Sequence, residues 1–156
     1  MAVIDGAVFS HVGICVSDYE KSLRFYTEGL GFELAEGWPV GDVFAPLAEV
    51  SPPMKARTQI SRKGATRLEI IGWTTPAAGG TPLQRRNQNG LTHLSFYVDD
   101  LAAVAGHLVS LGATLPEDTR VHIDVPGGAM DMVFLADPDG TRIELVQDTT
   151  KPFPPF

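Results

Sequence analysis

The sequence contains one short pattern twice, and this repeat restricts the possible folds more than any other feature. A histidine opens an alternating apolar run at His11, in FSHVGICVSDYE, and again 82 residues later at His93, in LTHLSFYVDDL. Side chains on a β-strand point to opposite faces in turn, so each histidine shares a face with small or polar residues rather than with the aliphatic row. A stretch with helical spacing of apolar residues follows each run, and glycine marks its end.

The start of each helix has a capping signal. Ser17 and Glu20 form a possible capping box for the first helix, and Asp99 or Asp100 is a candidate N-cap for the second. Three strand-like segments then follow each helix. We therefore expect a βαβββ unit used twice in an α+β fold.

The end of the repeat supports this organisation. The tetrad TRLE at residues 66–69 matches TRIE at residues 141–144, and ADPDG is a strong turn signal before the second copy. We place module 1 at about residues 7–74 and module 2 at about residues 90–148, within a single domain spanning residues 1–156.

Composition excludes several classes of partner. Twelve basic and 19 acidic residues give a net charge of −7, which argues against nucleic acid or an anionic membrane surface as a partner but leaves room for a small anion. No apolar run is long enough for a transmembrane helix, and the N-terminus lacks a secretory pattern. Cys15 is the only cysteine, so an intrachain disulfide is excluded, and we expect a cytoplasmic protein.

The repeat also supplies candidate metal ligands. Each module contributes a histidine at the start of its first strand and a glutamate in its last strand: His11, Glu69, His93 and Glu144. If the polar strand faces pack inward, two imidazoles and two carboxylates can converge on one divalent ion, with nickel, cobalt, zinc, manganese and iron(II) all suitable. The ordinary alternatives are hydrogen-bonded histidines and exposed glutamates, and spacing alone does not decide between these readings.

The segments HVGICVSDYEKSLRFYTEGLGFEL, RLEII, LTHLSFYVDDL and DPDGTRIELVQ together resemble the vicinal oxygen chelate superfamily, also called the glyoxalase/bleomycin resistance protein/dioxygenase superfamily. The resemblance covers about residues 7–148. It implies two βαβββ modules that form an incomplete, cupped β-barrel around a metal, often in a homodimer. Whether the modules pair within one chain or across a dimer stays open.

The resemblance carries the ligand pattern to His11, Glu69, His93 and Glu144, a set similar to that of bacterial-type glyoxalase I. Methylmalonyl-CoA epimerases typically have glutamine at the position of Glu69. Extradiol dioxygenases of the superfamily are commonly longer, and antibiotic-binding members have usually lost the ligands.

The expected activity is that of a metal-dependent lyase or isomerase, of the glyoxalase I or acyl-CoA epimerase kind, which enolises a small carbonyl substrate chelated by the metal. Glu144 or Glu69 is the candidate base, with Glu49 in the loop PLAEVSPP as the rival. The alternatives are a non-catalytic small-molecule binding protein, such as an antibiotic binder, and a ring-cleaving dioxygenase.

Two groups of basic residues are candidates for binding an anionic part of the substrate, although a solvated strand face is the ordinary interpretation. They are Lys55, Arg57, Arg62, Lys63 and Arg67 in one stretch, and Arg85 and Arg86 in another. Trp38, Trp73 and the Phe-rich tail could close over an apolar substrate or simply pack. His107 and His122 have ordinary surface explanations.

Overall fold

The computed structural model describes residues 6–150, and both expected modules are present in it. Module 1 consists of β1 (Val12–Val16), α1 (Tyr19–Arg24), β2 (Glu33–Gly41), β3 (Lys55–Lys63) and β4 (Thr66–Thr75). Module 2 consists of β5 (Leu94–Tyr97), α2 (Leu101–Ser110), β6 (Val121–Val125), β7 (Gly128–Ala136) and β8 (Arg142–Asp148). A π-helical turn (Phe25–Gly29) continues α1, and 3₁₀ turns lie at Asp42–Phe44 and Glu117–Thr119. The Phe-rich tail, residues 151–156, lies outside the described residues.

Each module forms one open, mixed four-stranded sheet. The strand order is β1-β4-β3-β2 in the first sheet and β5-β8-β7-β6 in the second. The first strand of each module runs parallel to the last, and the other neighbours are antiparallel. This confirms the α+β, twice-used βαβββ fold, with open sheets rather than a closed barrel. Within residues 6–150, no helix has the length and hydropathy needed to cross a bilayer.

A single apolar cluster joins the two modules. On the sheet faces opposite the candidate ligands, the aliphatic rows of both modules are buried and pack with α1 and α2. Its buried members from β1, β4, β7 and β8 are Ile14, Val16, Leu68, Ile70, Val133, Leu135, Ile143 and Leu145. This leaves the polar face of each sheet, with its histidine and glutamate, directed away from the shared core.

The helix caps follow the sequence in one module and differ from it in the other. Asp100 caps α2, with its Oδ1 accepting a hydrogen bond from the Ala103 amide at 2.9 Å. The prediction that Ser17 begins a capping box for α1 is wrong, because the N-cap is Asp18. Ser17 instead donates its amide to Asp139 at 3.0 Å and its hydroxyl to the same carboxylate. Ser17, which the local pattern predicts as the helix cap, therefore forms a contact between the modules instead.

The ADPDG turn links the modules. Asp137 lies in it and is buried; its Oδ1 accepts the amides of Asp139 and Thr141 at 2.9 and 2.8 Å. Its Oδ2 accepts the hydroxyl of Tyr26, from module 1, at 2.8 Å. Burial raises the pKa of Asp137 above its ordinary value, although these three donors work in the opposite direction. The turn thus fixes module 2 against the π-helical turn of module 1.

Candidate metal centre

The first histidine and glutamate form a pair on the polar face of sheet 1. His11 directly precedes β1, and Glu69 lies in β4 opposite Gly13, so the parallel register places both residues near the same end of the strand pair. Nε2 of His11 lies 3.1 Å from Oε2 of Glu69. The side chains are 37% and 19% exposed, so a ligand can reach them from outside.

The second module builds the same pair. His93 directly precedes β5, and Glu144 lies in β8 opposite Ser95. Nε2 of His93 lies 3.5 Å from Oε2 of Glu144, and the two side chains are 33% and 20% exposed. The internal repeat in the sequence therefore becomes a repeat in space, with one imidazole and one carboxylate on each sheet.

A hydroxyl group contacts the other nitrogen of each imidazole. Ser10 Oγ lies 2.9 Å from Nδ1 of His11, and Thr92 Oγ1 lies 2.8 Å from Nδ1 of His93. Histidines that bind metals usually donate the proton of the second nitrogen to an oxygen acceptor, which fixes the tautomer and the ring orientation. Neither Ser10 nor Thr92 was among the residues predicted from the sequence, although they share the 82-residue offset of the histidines.

Hydroxyl groups also hold the carboxylates, but differently in the two modules. Thr58 on β3 donates to Oε1 of Glu69 at 2.6 Å, so its hydroxyl and His11 contact different oxygens. Ser95 on β5 donates to Oε2 of Glu144 at 2.6 Å, the oxygen that also faces His93. Among the described residues, Oε1 of Glu144 has no hydrogen-bond partner.

The two pairs do not meet within one chain. Across residues 6–150, no group of three or more histidine, cysteine, aspartate or glutamate side chains is placed to hold a metal ion. The four candidate ligands are therefore present as two separate His-Glu pairs. A centre with all four ligands stays a prediction.

The other candidates from the sequence lie apart from these pairs. Glu49 is exposed, in a loop with a positive φ of 57°, and within the described part of the chain it makes no hydrogen bond to either pair. His122 contacts Asp131, with Nδ1 and Oδ1 2.8 Å apart, and this carboxylate raises the pKa of the imidazole. His107 contacts the Glu28 carbonyl oxygen at 3.0 Å.

Most of the first basic stretch serves ordinary structural contacts. Arg57 pairs with Glu20, Arg62 pairs with Glu36, and Lys63 donates to the carbonyl of Leu30. Of the two tryptophans, Trp73 packs against a small apolar cluster under the loop that contains Glu49, while Trp38 is 43% exposed.

The sequence and the fold are those of a known class. A family model described as the Glyoxalase/Bleomycin resistance protein/Dioxygenase superfamily matches residues 8–145, and the chain belongs to this superfamily. The expected family is therefore confirmed.

Among curated relatives, the chain is 31% identical to a 2-epi-5-epi-valiolone epimerase from Actinomyces sp, over 92% of this chain and 81% of the relative. It is 26% identical to a probable lactoylglutathione lyase from Vibrio parahaemolyticus, over 88% of each chain. A glyoxalase family protein from Bacillus cereus matches with a TM-score of 0.77 at 18% identity, over 94% of this chain and 98% of that one, which shows the fold alone. Enzymes with different reactions are thus among the relatives.

Proposed function

We propose that the protein is a divalent-metal-dependent lyase or isomerase whose metal centre is completed in a homodimer. His11 and Glu69 of one protomer would face His93 and Glu144 of a second copy, and two-fold symmetry would generate two such centres per dimer. The observation that carries this proposal is the presence of two preformed His-Glu pairs, one on each sheet, that do not meet in one chain.

The distances within the pairs fit ligands of one ion. Two donor atoms about 2.1 Å from a metal and at roughly right angles to each other are about 3.0 Å apart. The Nε2–Oε2 distances are 3.1 Å in the first pair and 3.5 Å in the second. A proton can also bridge atoms at these distances, so the metal content must be measured. Two imidazoles and two carboxylates suit nickel, cobalt, zinc, manganese or iron(II).

The chemistry that such an ion supplies is Lewis-acid polarisation of a carbonyl oxygen, which acidifies the neighbouring C–H bond. We assign the base to Glu144, because its Oε1 is free of hydrogen bonds within the described residues, whereas both oxygens of Glu69 are engaged. The carboxylate of Glu144 would take a proton from carbon and return it to the adjacent carbon or to the opposite face. Glu49 stays the rival base.

Isomerisation of a thiohemiacetal and epimerisation next to a carbonyl both use this proton transfer. The proposed chemistry is therefore compatible with both the lyase and the epimerase among the relatives. A cytoplasmic location suits the lone, exposed thiol of Cys15.

Mixing two inactive variants tests the shared centre. In a heterodimer of His11→Ala and His93→Ala chains, one centre lacks both histidines and the other is intact, so roughly half of the wild-type metal content should return. Each variant alone should bind little metal. Differently tagged chains allow the heterodimer to be purified after co-expression and analysed for metal. Failure of the heterodimer to recover metal would contradict the shared centre.

Hydrogen–deuterium exchange tests the reaction. The probes are the thiohemiacetal of methylglyoxal and an acyl-CoA with an acidic α-proton, each incubated in deuterated water. We expect metal-dependent exchange of one probe and loss of exchange in Glu144→Gln, with metal retained. Exchange that survives in Glu144→Gln but is lost in Glu49→Gln would reassign the base. Bound iron with oxygen uptake on catechols would indicate a dioxygenase, and ligand binding without any turnover would indicate a binding protein.

A further inference from the structure

Two arginines lie beside the second His-Glu pair. Phe134 on β7 is opposite Glu144 in the sheet and lies on the same face. Its ring meets the imidazole of His93 edge-to-face, with the ring centroids 5.1 Å apart. The guanidinium of Arg86 lies over the same ring, with Cζ 4.1 Å from the centroid. One aromatic ring therefore connects the Arg86 cation to the candidate metal ligand.

The second arginine comes from the strand itself. Arg142 is two residues before Glu144 on β8, so both side chains lie on the same face. Its Nη2 donates to the carbonyl of Gln84 at 2.6 Å, which holds the segment before β5 against the sheet. Between this segment and the sheet lies a cleft of about 220 Å³ that both arginines line. We call it the arginine cleft.

The charges of Arg86 and Arg142 have no carboxylate partner among the described side chains. By contrast, Arg24 pairs with Glu28, Arg57 with Glu20 and Arg62 with Glu36. Among the side chains that the structure describes, no carboxylate lies at ion-pair distance from Arg86 or Arg142. This is notable in a chain with 19 acidic and 12 basic residues. Two fixed cations without counter-ions, next to an open cleft, attract an anion.

We propose that the arginine cleft binds an anionic group of the substrate, a carboxylate or a phosphate. Guanidinium groups donate two parallel hydrogen bonds to either anion, and stacking on Phe134 and the bond to Gln84 hold the two side chains in advance. The anion would then fix the orientation of the substrate relative to His93 and Glu144. This inference rests on the proposed function, because it assumes that the second pair belongs to the reaction site.

The alternative role of these arginines is to anchor the loop. Substitutions that remove or keep the positive charge distinguish this role from anion binding. Methionine keeps the length and apolar packing of arginine without its charge, whereas lysine keeps the charge. Arg86→Met and Arg142→Met are compared with Arg86→Lys and Arg142→Lys. Arg85→Met is the matched control, because Arg85 is an exposed neighbour in the same loop. Thermal unfolding shows whether each variant is folded.

The measurement is calorimetric titration of the full-length protein with inorganic phosphate and, separately, with acetate, after EDTA treatment and with metal restored. We expect each methionine variant to weaken binding of the preferred anion by at least about ten-fold, since charged hydrogen bonds are lost, and each lysine variant to weaken it less. Arg85→Met should bind like the wild type. The anion that binds more tightly identifies the group as phosphate or carboxylate.

Three results would overturn the proposal: no anion binding by the wild type, equal binding by the methionine variants, or an equal loss in Arg85→Met. The metal content of the same samples keeps this test separate from the proposed function. If the wild type holds no metal but the methionine variants still lose anion binding, the proposed function fails and the arginine cleft stands.

Discussion

Each histidine of the two pairs contacts a different partner at each ring nitrogen. Nδ1 of His11 faces the Ser10 hydroxyl, and Nε2 faces Glu69. A neutral imidazole carries one proton, so the two contacts are coupled. When Nδ1 donates to the hydroxyl, the lone pair of Nε2 is free to bind a cation. When the hydroxyl donates to Nδ1, Nε2 carries the proton and donates to the carboxylate. The hydroxyl thus accommodates both states.

Removing these hydroxyls should weaken metal binding. In Ser10→Ala and Thr92→Val the Nδ1 proton loses its acceptor, and we expect the metal dissociation constant to rise by about ten-fold for each variant, as is typical for groups that orient a ligand. Competition with a fluorescent chelator measures the constant. Ser110→Ala and Thr74→Val are the controls, since these residues contact neither pair. Unchanged affinity in Ser10→Ala and Thr92→Val would show that the hydroxyls do not orient the ligands.

At this scale the sequence identified the histidines and glutamates as candidates because their residue types are chemically informative and recur at matched positions. Ser10 and Thr92 recur with the same offset, but serine and threonine are common beside strands. The repeat could not identify Thr58, because the two modules hold their glutamates from different strands. In module 2 the donor is Ser95 on the first strand, and the matching position in module 1 is Gly13. Module 1 uses Thr58 on β3 instead.

At the scale of elements, alternation and helical spacing correctly predicted the two βαβββ modules, because each element has one buried face. The cap of α1 was mispredicted because a long-range contact decides it: Ser17 binds Asp139 of the other module. The sequence correctly predicted a turn at ADPDG. It could not predict that the turn joins the modules, because this depends on the hydrogen bond between Asp137 and Tyr26, 111 residues apart in the chain.

Tyr26→Phe should therefore destabilise the protein more than its small change in volume suggests. The variant leaves Oδ2 of the buried Asp137 without its donor, which costs about 1–3 kcal/mol in free energy of unfolding. Urea denaturation at neutral pH measures this difference. Tyr19→Phe is the control, because Tyr19 is only half-buried and its ring, which packs under Arg57, is kept.

The cost of Tyr26→Phe should also depend on pH. The Tyr26 hydroxyl lowers the pKa of Asp137, although burial keeps this pKa above the ordinary value of an aspartate. A donor that favours the ionised carboxyl stabilises the fold above the folded-state pKa, and this contribution is lost as the pH falls through it. The difference between wild type and variant should shrink on acidification. A constant difference would indicate that the hydroxyl acts by packing alone.

At the scale of the whole molecule, the sequence could not decide how the two modules face each other. In the structure the modules pack through the aliphatic rows and through contacts such as Tyr26 with Asp137, which no local pattern contains. In the structure the shared core lies between the modules and each polar face is left open. Large apolar side chains are exposed on these faces, among them Trp38, Val121 and Ile123.

If the metal joins ligands from two protomers, metal binding and dimerisation must be thermodynamically linked. An ion that binds the dimer and not the monomer stabilises the dimer. At a metal concentration about ten times the metal dissociation constant or above, removing the ion with EDTA should raise the dimer dissociation constant by ten-fold or more. Sedimentation velocity over a range of protein concentrations measures this constant with and without metal. His93→Ala should dissociate like the EDTA-treated wild type and should not respond to added metal. A wild-type monomer that retains one metal per chain would contradict a centre shared between protomers, and would require the two modules to rearrange within one chain.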